Sequence, residues 1–329
     1  MKANNFSKAG IIYAAFGYEY LLMAIYSAKT VKENNPGIIC ELVTNIPINI
    51  NKDNNEIKNL SVFDSIKQIE IDSKLNRLIK TNIIEFASFD IGVYLDCDTE
   101  IRGSLSPIFN CLERFDIAVK MGANPTSKDY EISKGIHGHF FPVFNGGVIF
   151  FKKNDKTKTF FKKWNEIYKA EEKTSDQPAL ARAIFETKDL NVLSLNAVWN
   201  TFLGEEVIIL KYRKLSKKSL KWLKNSIIWH YRKPEEWPYI VPSLYNIHKE
   251  LKKSIINPKE QILKEIKTIE KKYELFSTPF YRFIFNKPLL LKILEVSLKI
   301  LNKLGFIENI NLKREKKIFG KRYGRIKSN

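Results

Sequence analysis

The chain has 329 residues, of which 44% are hydrophobic and 12% aromatic, and this composition excludes an intrinsically disordered protein. Its formal net charge of +19 points to an anionic partner such as nucleic acid, an acidic membrane surface or a phosphorylated molecule. No uninterrupted apolar stretch reaches the roughly 18 residues of a membrane-spanning helix, so we expect none.

Cysteine usage and the N-terminal sequence bear on the compartment. Cys40, Cys97 and Cys111 show no paired spacing, which favours a reducing compartment. The first residues, from Met1 to Asn5, contain no apolar segment of the kind that a secretory signal needs. We therefore expect a cytoplasmic protein, either free or peripheral on the inner face of the membrane.

The first part of the chain predicts a βαβ unit. Gly10 to Phe16 and Ile38 to Val43 have the content of strands, and Tyr20 to Lys32 between them has helical spacing of apolar residues. Such a unit favours a parallel sheet, which binds ligands at the carboxyl ends of its strands. The sequence contains neither Gly-x-Gly-x-x-Gly nor a phosphate-binding Gly-Lys-Ser, so the usual dinucleotide and ATP fingerprints are absent.

A cation-bearing helix is predicted next, from Leu75 to Phe86, after a strand region from Val62 to Ile71. Arg77 and Lys80 lie one turn apart on this helix. They can either reach a bound phosphate or belong to an ordinary solvated helix face.

Two carboxylates follow a buried strand directly. The apolar run from Ile91 to Leu95 ends in Asp96 and Asp98, whose side chains point to the same side if the strand geometry continues. Neighbouring carboxylates repel unless a cation lies between them, and oxygen ligands suit Mg²⁺ or Mn²⁺. The alternative is a polar loop whose aspartates cap the next helix.

An apolar strand from Phe144 to Phe151 begins with Asn145, Gly146 and Gly147. Glycines at this position indicate either a close approach to the backbone, which would admit a sugar, or a hairpin turn, for which Asn-Gly is the usual signal.

Asp176 and Gln177 begin a predicted helix that runs through Phe185. Ser175 or Asp176 can be its N-cap, with Pro178 in the first turn. The same Asp-Gln pair can instead direct a carboxylate and an amide at a hydroxylated ligand.

A further strand, from Ser226 to Lys233, carries His230 next to two cations, Arg232 and Lys233. A lone histidine on a strand is usually a hydrogen-bonded core residue. Cations directly after it suit a metal-binding imidazole with positive charges that hold a diphosphate.

The C-terminal part is strongly basic, since residues 249–329 contain 21 Lys and Arg against 8 Asp and Glu. Gln261 to Phe276 is charged with a helical pattern, and Pro288 to Leu304 predicts an amphipathic helix with a wide apolar face. That face can pack on the rest of the protein or lie on an anionic membrane surface.

The order of these motifs resembles the GT-A glycosyltransferases, and most closely glycosyltransferase family 8. The resemblance covers residues 9–240 and is carried by the series Leu-Asp-Cys-Asp-Thr, Phe-Asn-Gly-Gly-Val, Asp-Gln-Pro-Ala-Leu, Trp-Asn, and His-Tyr before Lys-Pro. It implies an α/β fold of the GT-A type, which is a Rossmann-like mixed sheet flanked by helices. The catalytic domain would span residues 1–244, followed by a basic helical C-terminal extension over residues 245–329.

The resemblance also implies roles for individual residues. Asp96, Asp98 and His230 would bind Mn²⁺ or Mg²⁺. Asp176 and Gln177 would be catalytic residues near the donor sugar. The remaining residues that it places at the nucleotide sugar are Ala14 and Ala15 (backbone against uracil), Tyr20 (stacked on the base), Asn145 and Gly147 (sugar hydroxyls), and the cations Arg77, Lys80, Arg232 and Lys233 (diphosphate).

Two positions depart from the family pattern. Phe16 and Gly17 stand where acidic residues usually follow the first strand, and Lys233 stands where a glycine is usual near the diphosphate.

The function implied by the resemblance is metal-dependent transfer of a hexose from a nucleotide sugar, usually UDP-linked, with retention of anomeric configuration. A covalent route would need a carboxylate on the far face of the sugar, for which Asp176 is the only candidate, whereas a front-face route needs no protein base. The basic tail fits a lipid-linked oligosaccharide or a lipopolysaccharide-like glycan as acceptor. The alternative is a basic membrane- or nucleic-acid-binding protein with a non-catalytic transferase fold, although no nucleic-acid-binding module is recognised.

Overall fold

The computed structural model describes residues 9–48, 59–71, 76–122, 142–170, 176–202, 225–231 and 240–274. The chain forms two compact units, residues 1–271 and 272–329. Within the described residues, the sheets and helices belong to the first unit, apart from residues 272–274 at the end of the helix Glu260–Glu274. The predicted division into domains at residues 244 and 245 stays a prediction.

Strands of the described residues form two sheets. They are β1 (Ala9–Ala15), β2 (Ile39–Thr44), β3 (Ser65–Gln68), β4 (Ile91–Leu95), β5 (Thr99–Ile101), β6 (Ile117–Met121), β7 (Phe144–Lys152), β8 (Val192–Leu195), β9 (Thr201–Phe202) and β10 (Ile228–His230). Seven strands form a mixed sheet in the order β3-β2-β1-β4-β7-β6-β8, in which β7 is antiparallel to both neighbours and the other pairs are parallel. The second sheet has the order β5-β10-β9.

Helices connect these strands and flank the large sheet. The α-helices of the described residues are α1 (Tyr18–Asn34), α2 (Asn76–Lys80), α3 (Ser106–Cys111), α4 (Asp155–Ala170), α5 (Gln177–Glu186), α6 (Val241–Leu251) and α7 (Glu260–Glu274). In the same part of the chain, none of the helices combines the length and the apolar character needed to cross a membrane.

The centre of the large sheet depends on two paired glycines. Gly10 of β1 lies beside Gly92 of β4 in the parallel register. The ring of Phe89 packs over both, because a Cβ atom placed on either glycine would lie 2.0 Å from a ring atom. Phe89 is 1% exposed and belongs to the main hydrophobic core, which also contains the aromatic side chains of α4. Alanine at either glycine would displace this ring.

The reversed strand β7 determines which residues meet at the functional edge. Because β7 is antiparallel to β4, its first residues lie beside the carboxyl end of β4, and Val148 pairs with Leu95. The small sheet completes this arrangement, since β10 pairs with β5 and places His230 opposite Thr99, one residue after Asp98.

The predicted helix from Leu75 to Phe86 is wrong in its extent. Helix α2 ends at Lys80, and a separate 3₁₀ turn follows over Ile83–Glu85. The carbonyl of Leu78 accepts hydrogen bonds from the hydroxyl of Thr81 at 3.1 Å and from the side-chain amide of Asn165 at 2.9 Å. These side chains serve the carbonyl that a continuing helix would use, and the helix stops there.

The other predicted strands and helices within the described residues are confirmed to within a few residues, including the helix after Gln261, which is α7. The predicted amphipathic helix from Pro288 to Leu304 lies outside the described residues.

Helices α6 and α7 pack against α1. The hydroxyl of Tyr18 shares a hydrogen bond of 2.9 Å with Nδ1 of His248 in α6. A carboxylate oxygen of Glu265 in α7 accepts the backbone N–H of Tyr18 at 2.7 Å. Glu265 thus interacts with one of the free N–H groups at the positive end of α1, where a negative charge is stabilising.

Candidate active site

Asp96, Asp98 and His230 converge at the carboxyl end of β4. Nε2 of His230 lies 3.2 Å from Oδ1 of Asp98 and 3.8 Å from Oδ2 of Asp96. One ligand atom from each of the three side chains lies within 4.8 Å of the others. Two carboxylates and an imidazole at these distances can hold one divalent cation, as the sequence predicts.

Strand β7 comes very close to this cluster at Gly147. The backbone N–H of Asp96 donates to the carbonyl of Gly147 at 2.8 Å. A Cβ atom on Gly147 would lie 2.1 Å from Cε1 of His230 and 2.8 Å from Oδ2 of Asp96. The hairpin-turn interpretation of Asn145-Gly146-Gly147 is therefore wrong, because these residues belong to β7 itself. The glycine makes room for the imidazole.

A buried amide orients the imidazole of His230. Nδ1 of His230 lies 3.0 Å from Oδ1 of Asn200, which is fully buried. The amide nitrogen of Asn200 donates to Oδ1 of Asn145 at 3.1 Å, and the same oxygen accepts the N–H of Gly147 at 2.9 Å. A proton on Nδ1 then points at Asn200, which leaves Nε2 directed at the carboxylates.

The electrostatics of the cluster favour charged forms on both sides. Burial alone would raise the pKa of Asp96, but the charges of Lys80 and His230 outweigh burial and hold that pKa below its usual range. Burial alone would lower the pKa of His230, but the carboxylates of Asp98 and Asp96 outweigh it and raise that pKa. A proton and a metal ion would therefore compete for Nε2 of His230.

Lys80 forms ion pairs both with Asp96, in the metal cluster of Asp96, Asp98 and His230, and with Asp176 in the predicted sugar site. Its ammonium lies 3.1 Å from Oδ1 of Asp96 and 2.9 Å from Oδ2 of Asp176. The Lys80 side chain is only 10% exposed, so the solvated-face interpretation is wrong for this residue. Burial tends to lower its pKa, but Asp176 and Asp96 outweigh burial and raise the pKa above its usual value. Arg77 is more exposed, and its Nε lies 3.7 Å from Oδ1 of Asp176.

Asp176 occupies the N-cap position of α5 but does not cap the helix with its side chain. The carboxylate is turned to Lys80 and Arg77 instead. The capping interpretation is therefore wrong for Asp176, and Ser175 lies outside the described residues. Gln177 follows as the first residue of α5, and it lines the same cavity as Asp176 and His230.

A cavity of about 280 Å³ contains most of the predicted site. The predicted residues that line it are Ala14, Tyr20, Arg77, Lys80, Asp96, Asp98, Asn145, Asp176, Gln177 and His230. Ala15 is fully buried, and Gly147 lies against the imidazole ring of His230. Arg232 and Lys233 lie outside the described residues.

Three further residues line this cavity without a predicted role in the site: Asn76, Tyr94 and Cys97. Tyr94 donates its hydroxyl to Oδ1 of Asp96 at 2.6 Å. The thiol of Cys97 donates to the carbonyl of Ala14 at 3.4 Å, and burial raises its pKa well above the usual value. Cys97 is therefore a neutral packing residue between the two acids rather than a ligand.

An acid pair and an imidazole beside a buried Lys–Asp pair, at the carboxyl end of a mixed sheet, are typical of an enzyme that handles a metal-bound nucleoside diphosphate sugar. The family model of the nucleotide-diphospho-sugar transferases matches residues 83–252, which is just over half of the chain. The chain belongs to this family, and its enzyme class is glycosyltransferase.

Solved structures agree on the fold. The glycosyltransferase GlyE of Streptococcus pneumoniae TIGR4 in its apo form is 17% identical, with a TM-score of 0.51 over 77% of this chain and 65% of its own. The bifunctional glycosyltransferase WbbM in its apo form is 14% identical, with a TM-score of 0.51 over 80% of this chain and 53% of its own. The present chain thus spans about half to two thirds of the length of these two proteins.

The galactosyltransferase LgtC, in complex with donor and acceptor sugar analogues, is 18% identical over 78% of this chain and 99% of its own, with a TM-score of 0.49. A sequence comparison with curated proteins finds no significant match. The predicted GT-A fold is confirmed by the sheet order together with GlyE and WbbM.

Proposed function

We propose that this protein is a hexosyltransferase that requires a divalent metal and transfers a hexose from a UDP-linked donor to a glycan or lipid-linked acceptor, with retention. The observation that carries the proposal is the convergence of Asp96, Asp98 and His230 in one cavity with the Lys80–Asp176 pair. These five side chains come from four separate segments of the chain.

Asp96, Asp98 and His230 would hold Mn²⁺ or Mg²⁺. Carboxylate oxygens suit both ions, and an imidazole nitrogen favours Mn²⁺ of the two. When bound, the ion would neutralise the charge that develops on the departing diphosphate. Asn200 supports the fit, because it fixes the imidazole with Nε2 towards the two acids.

The hexose would lie beside Asp176, Gln177 and Asn145. Asp176 is 6% exposed and paired with Lys80, so its carboxylate is held in one place and can accept hydrogen bonds from sugar hydroxyls. Lys80 lies between this carboxylate and Asp96, and Arg77 lies beside Asp176, so both cations would attract the diphosphate.

Retention would follow from a front-face route. Asp176 is the only carboxylate suggested as a nucleophile, and its two ion pairs favour a positioning role for it instead. In the front-face route the departing phosphate oxygen takes the proton of the acceptor hydroxyl, so no protein base is needed.

The most specific parts of the proposal are the type of acceptor and the position at a membrane surface. The basic segment that would attract an anionic glycan or lipid lies largely in residues 275–329, which fall outside the described residues. Its charge is the argument for a lipid-linked or lipopolysaccharide-like acceptor and for a peripheral position on the inner membrane face.

The experiment measures release of UDP from UDP-glucose and UDP-galactose by the purified full-length protein. We expect turnover with MnCl₂ and its loss with excess EDTA. Asp98→Asn should lower kcat/KM by about 100-fold or more, because one metal ligand loses its charge. The matched control is Asp155→Asn, which removes an exposed carboxylate from the first turn of α4.

Full activity of Asp98→Asn would reject the proposal. Absence of turnover with every nucleotide sugar, together with tight binding to anionic vesicles or to DNA, would favour the alternative of a non-catalytic transferase fold.

A further inference from the structure

A second and larger cavity adjoins the cavity that contains Asp96, Asp98 and His230, which we call the metal cavity. Its volume is about 650 Å³, and three residues, Tyr20, Asn76 and Arg77, line both cavities. The metal-binding residues and Asp176 line only the first cavity. The two cavities therefore meet at Tyr20, Asn76 and Arg77.

The shape of a nucleotide sugar gives this second cavity an occupant. In such a molecule the hexose and the nucleoside are attached to opposite ends of the diphosphate. With the hexose at Asp176 and the diphosphate at the metal cluster, the nucleoside must leave the metal cavity by the other side. A volume of about 650 Å³ is in the range of small-molecule sites and is ample for a nucleoside.

One wall of the second cavity is helix α7. Gln261, Lys264, Glu265 and Thr268 all line it, and their spacing of three, four and seven residues places them on one face of the helix. This face offers an amide, an ammonium, a carboxylate and a hydroxyl, which together include both donors and acceptors.

Residues directly after β1 cannot recognise a base with their side chains. Phe16 is buried and apolar, and Gly17 has no side chain. A carboxylate oxygen of Glu265 would lie 3.3 Å from a Cβ atom on Gly17, whose φ is +96°. Glu265 therefore fills the space that a side chain at residue 17 would need, and its own position is fixed by the backbone N–H of Tyr18.

We propose that the face of α7 formed by Gln261, Glu265 and Thr268 recognises the nucleobase of the donor. This inference rests on the proposed function. Gln261 and Thr268 would hydrogen-bond the polar edge of the base, while Tyr20, whose side chain is exposed, would stack on its ring. Glu265 acts as a positioning residue that holds α7 against the start of α1.

The test is isothermal titration calorimetry of the full-length protein with MnCl₂ present. The probes are UDP, CDP, ADP and GDP, with inorganic pyrophosphate as the probe that has no base. Gln261→Ala and Thr268→Val are the variants, and both positions are exposed, so the fold should not depend on them. The control is Lys267→Ala, an exposed position on α7 that does not line the cavity.

We expect the wild-type protein to bind one of the four nucleotides more tightly than pyrophosphate. Each variant should raise the Kd for that nucleotide by about three- to tenfold, which is the usual effect of one lost hydrogen bond. Each should also reduce the preference for that nucleotide over the other three. The affinity of both variants for pyrophosphate should be unchanged, and Lys267→Ala should bind the nucleotide as tightly as the wild type.

Unchanged nucleotide affinity in both variants would overturn the inference and leave the proposed function intact. Equal weakening of nucleotide and pyrophosphate would also overturn it, since α7 would then act on the diphosphate. Failure of the wild-type protein to bind any of the four nucleotides would reject the proposed function and this inference with it.

Discussion

The two cavities of the cleft are built in different ways. In the metal cavity, buried charges hold one another: Lys80 joins Asp96 to Asp176, and both acids of the metal cluster face His230. In the second cavity, side chains on an exposed face of α7 line the wall, while the helix is held by its buried residues Ile262, Ile266 and Ile269 and by the contact of Glu265 with Tyr18. In the metal cavity, loss of one charged side chain leaves its partners buried without an opposite charge. In the second cavity, the exposed side chains of α7 can be replaced without loss of the fold. The proposed chemistry and the proposed base recognition are thus separable.

The largest expected effect comes from removal of the charge that holds the metal cavity together. Lys80→Met keeps the length of the side chain but leaves two carboxylates facing each other without their shared cation. Breaking such a buried pair costs about 3–5 kcal/mol. We expect a loss of this size in the free energy of unfolding by urea, measured in EDTA so that no metal replaces the lost charge.

Lys162→Met is the matched control for this change, because Lys162 is exposed on α4. An equal and small change in both variants would show that the charges of the metal cavity do not hold one another, and the contrast between the two cavities would fail.

A smaller effect is expected when only the orientation of the metal ligand is disturbed. Asn200→Ala removes the acceptor for Nδ1 of His230, and outer partners of metal ligands typically change metal affinity by about 10-fold to 100-fold. We expect an increase of about 10-fold in the Kd for Mn²⁺, with kcat recovered at saturating Mn²⁺. Asn200→Asp, which keeps an oxygen for Nδ1, should restore much of the affinity.

The exposed Asn191, directly before β8, provides the control Asn191→Ala. If Asn200→Ala lowers kcat at saturating Mn²⁺ and leaves the Kd for Mn²⁺ unchanged, Asn200 does not act through His230.

The smallest effect concerns the attachment of α6 to α1. Burial lowers the pKa of His248 below its usual value of 6.5. The unfolded chain therefore binds a proton at a pH where the folded protein does not, and stability falls as the pH falls through 6.5 towards the folded pKa. We expect the Tm, measured in EDTA, to decrease from pH 7.5 to pH 5.5 more steeply in the wild type than in His248→Asn. Equal slopes would contradict a buried, neutral His248.

Sequence patterns predicted that Asp96, Asp98 and His230 come together, because these residues follow local rules. Asp96 and Asp98 end an apolar strand, and His230 stands on a short strand next to cations. The same rules could not show that Lys80 is buried, because its partner Asp176 lies 96 positions further along the chain. The break of the helix after Lys80 likewise depends on Asn165, a residue of α4.

The second cavity was not predicted at all. Its contact between Tyr18 and Glu265 joins residues that are 247 positions apart. Helical periodicity identified α7 as a charged helix, but periodicity does not say which element its polar side chains contact. The pattern at Gly147 was partly informative: it indicated a close approach to the backbone, and the structure identifies the neighbour as the ring of His230.

The contact between Glu265 and the start of α1 has a consequence for biosynthesis. A ribosome that has completed residue 240 has already made Asp96, Asp98 and His230, yet the backbone N–H of Tyr18 still lacks the carboxylate of Glu265 and the second cavity still lacks the wall formed by α7. The contact between Tyr18 and α7 therefore forms only after residue 265 has been made. A protease cut in the linker between α6 and α7 would leave the acids in place and remove the covalent link between α7 and the rest of the first unit.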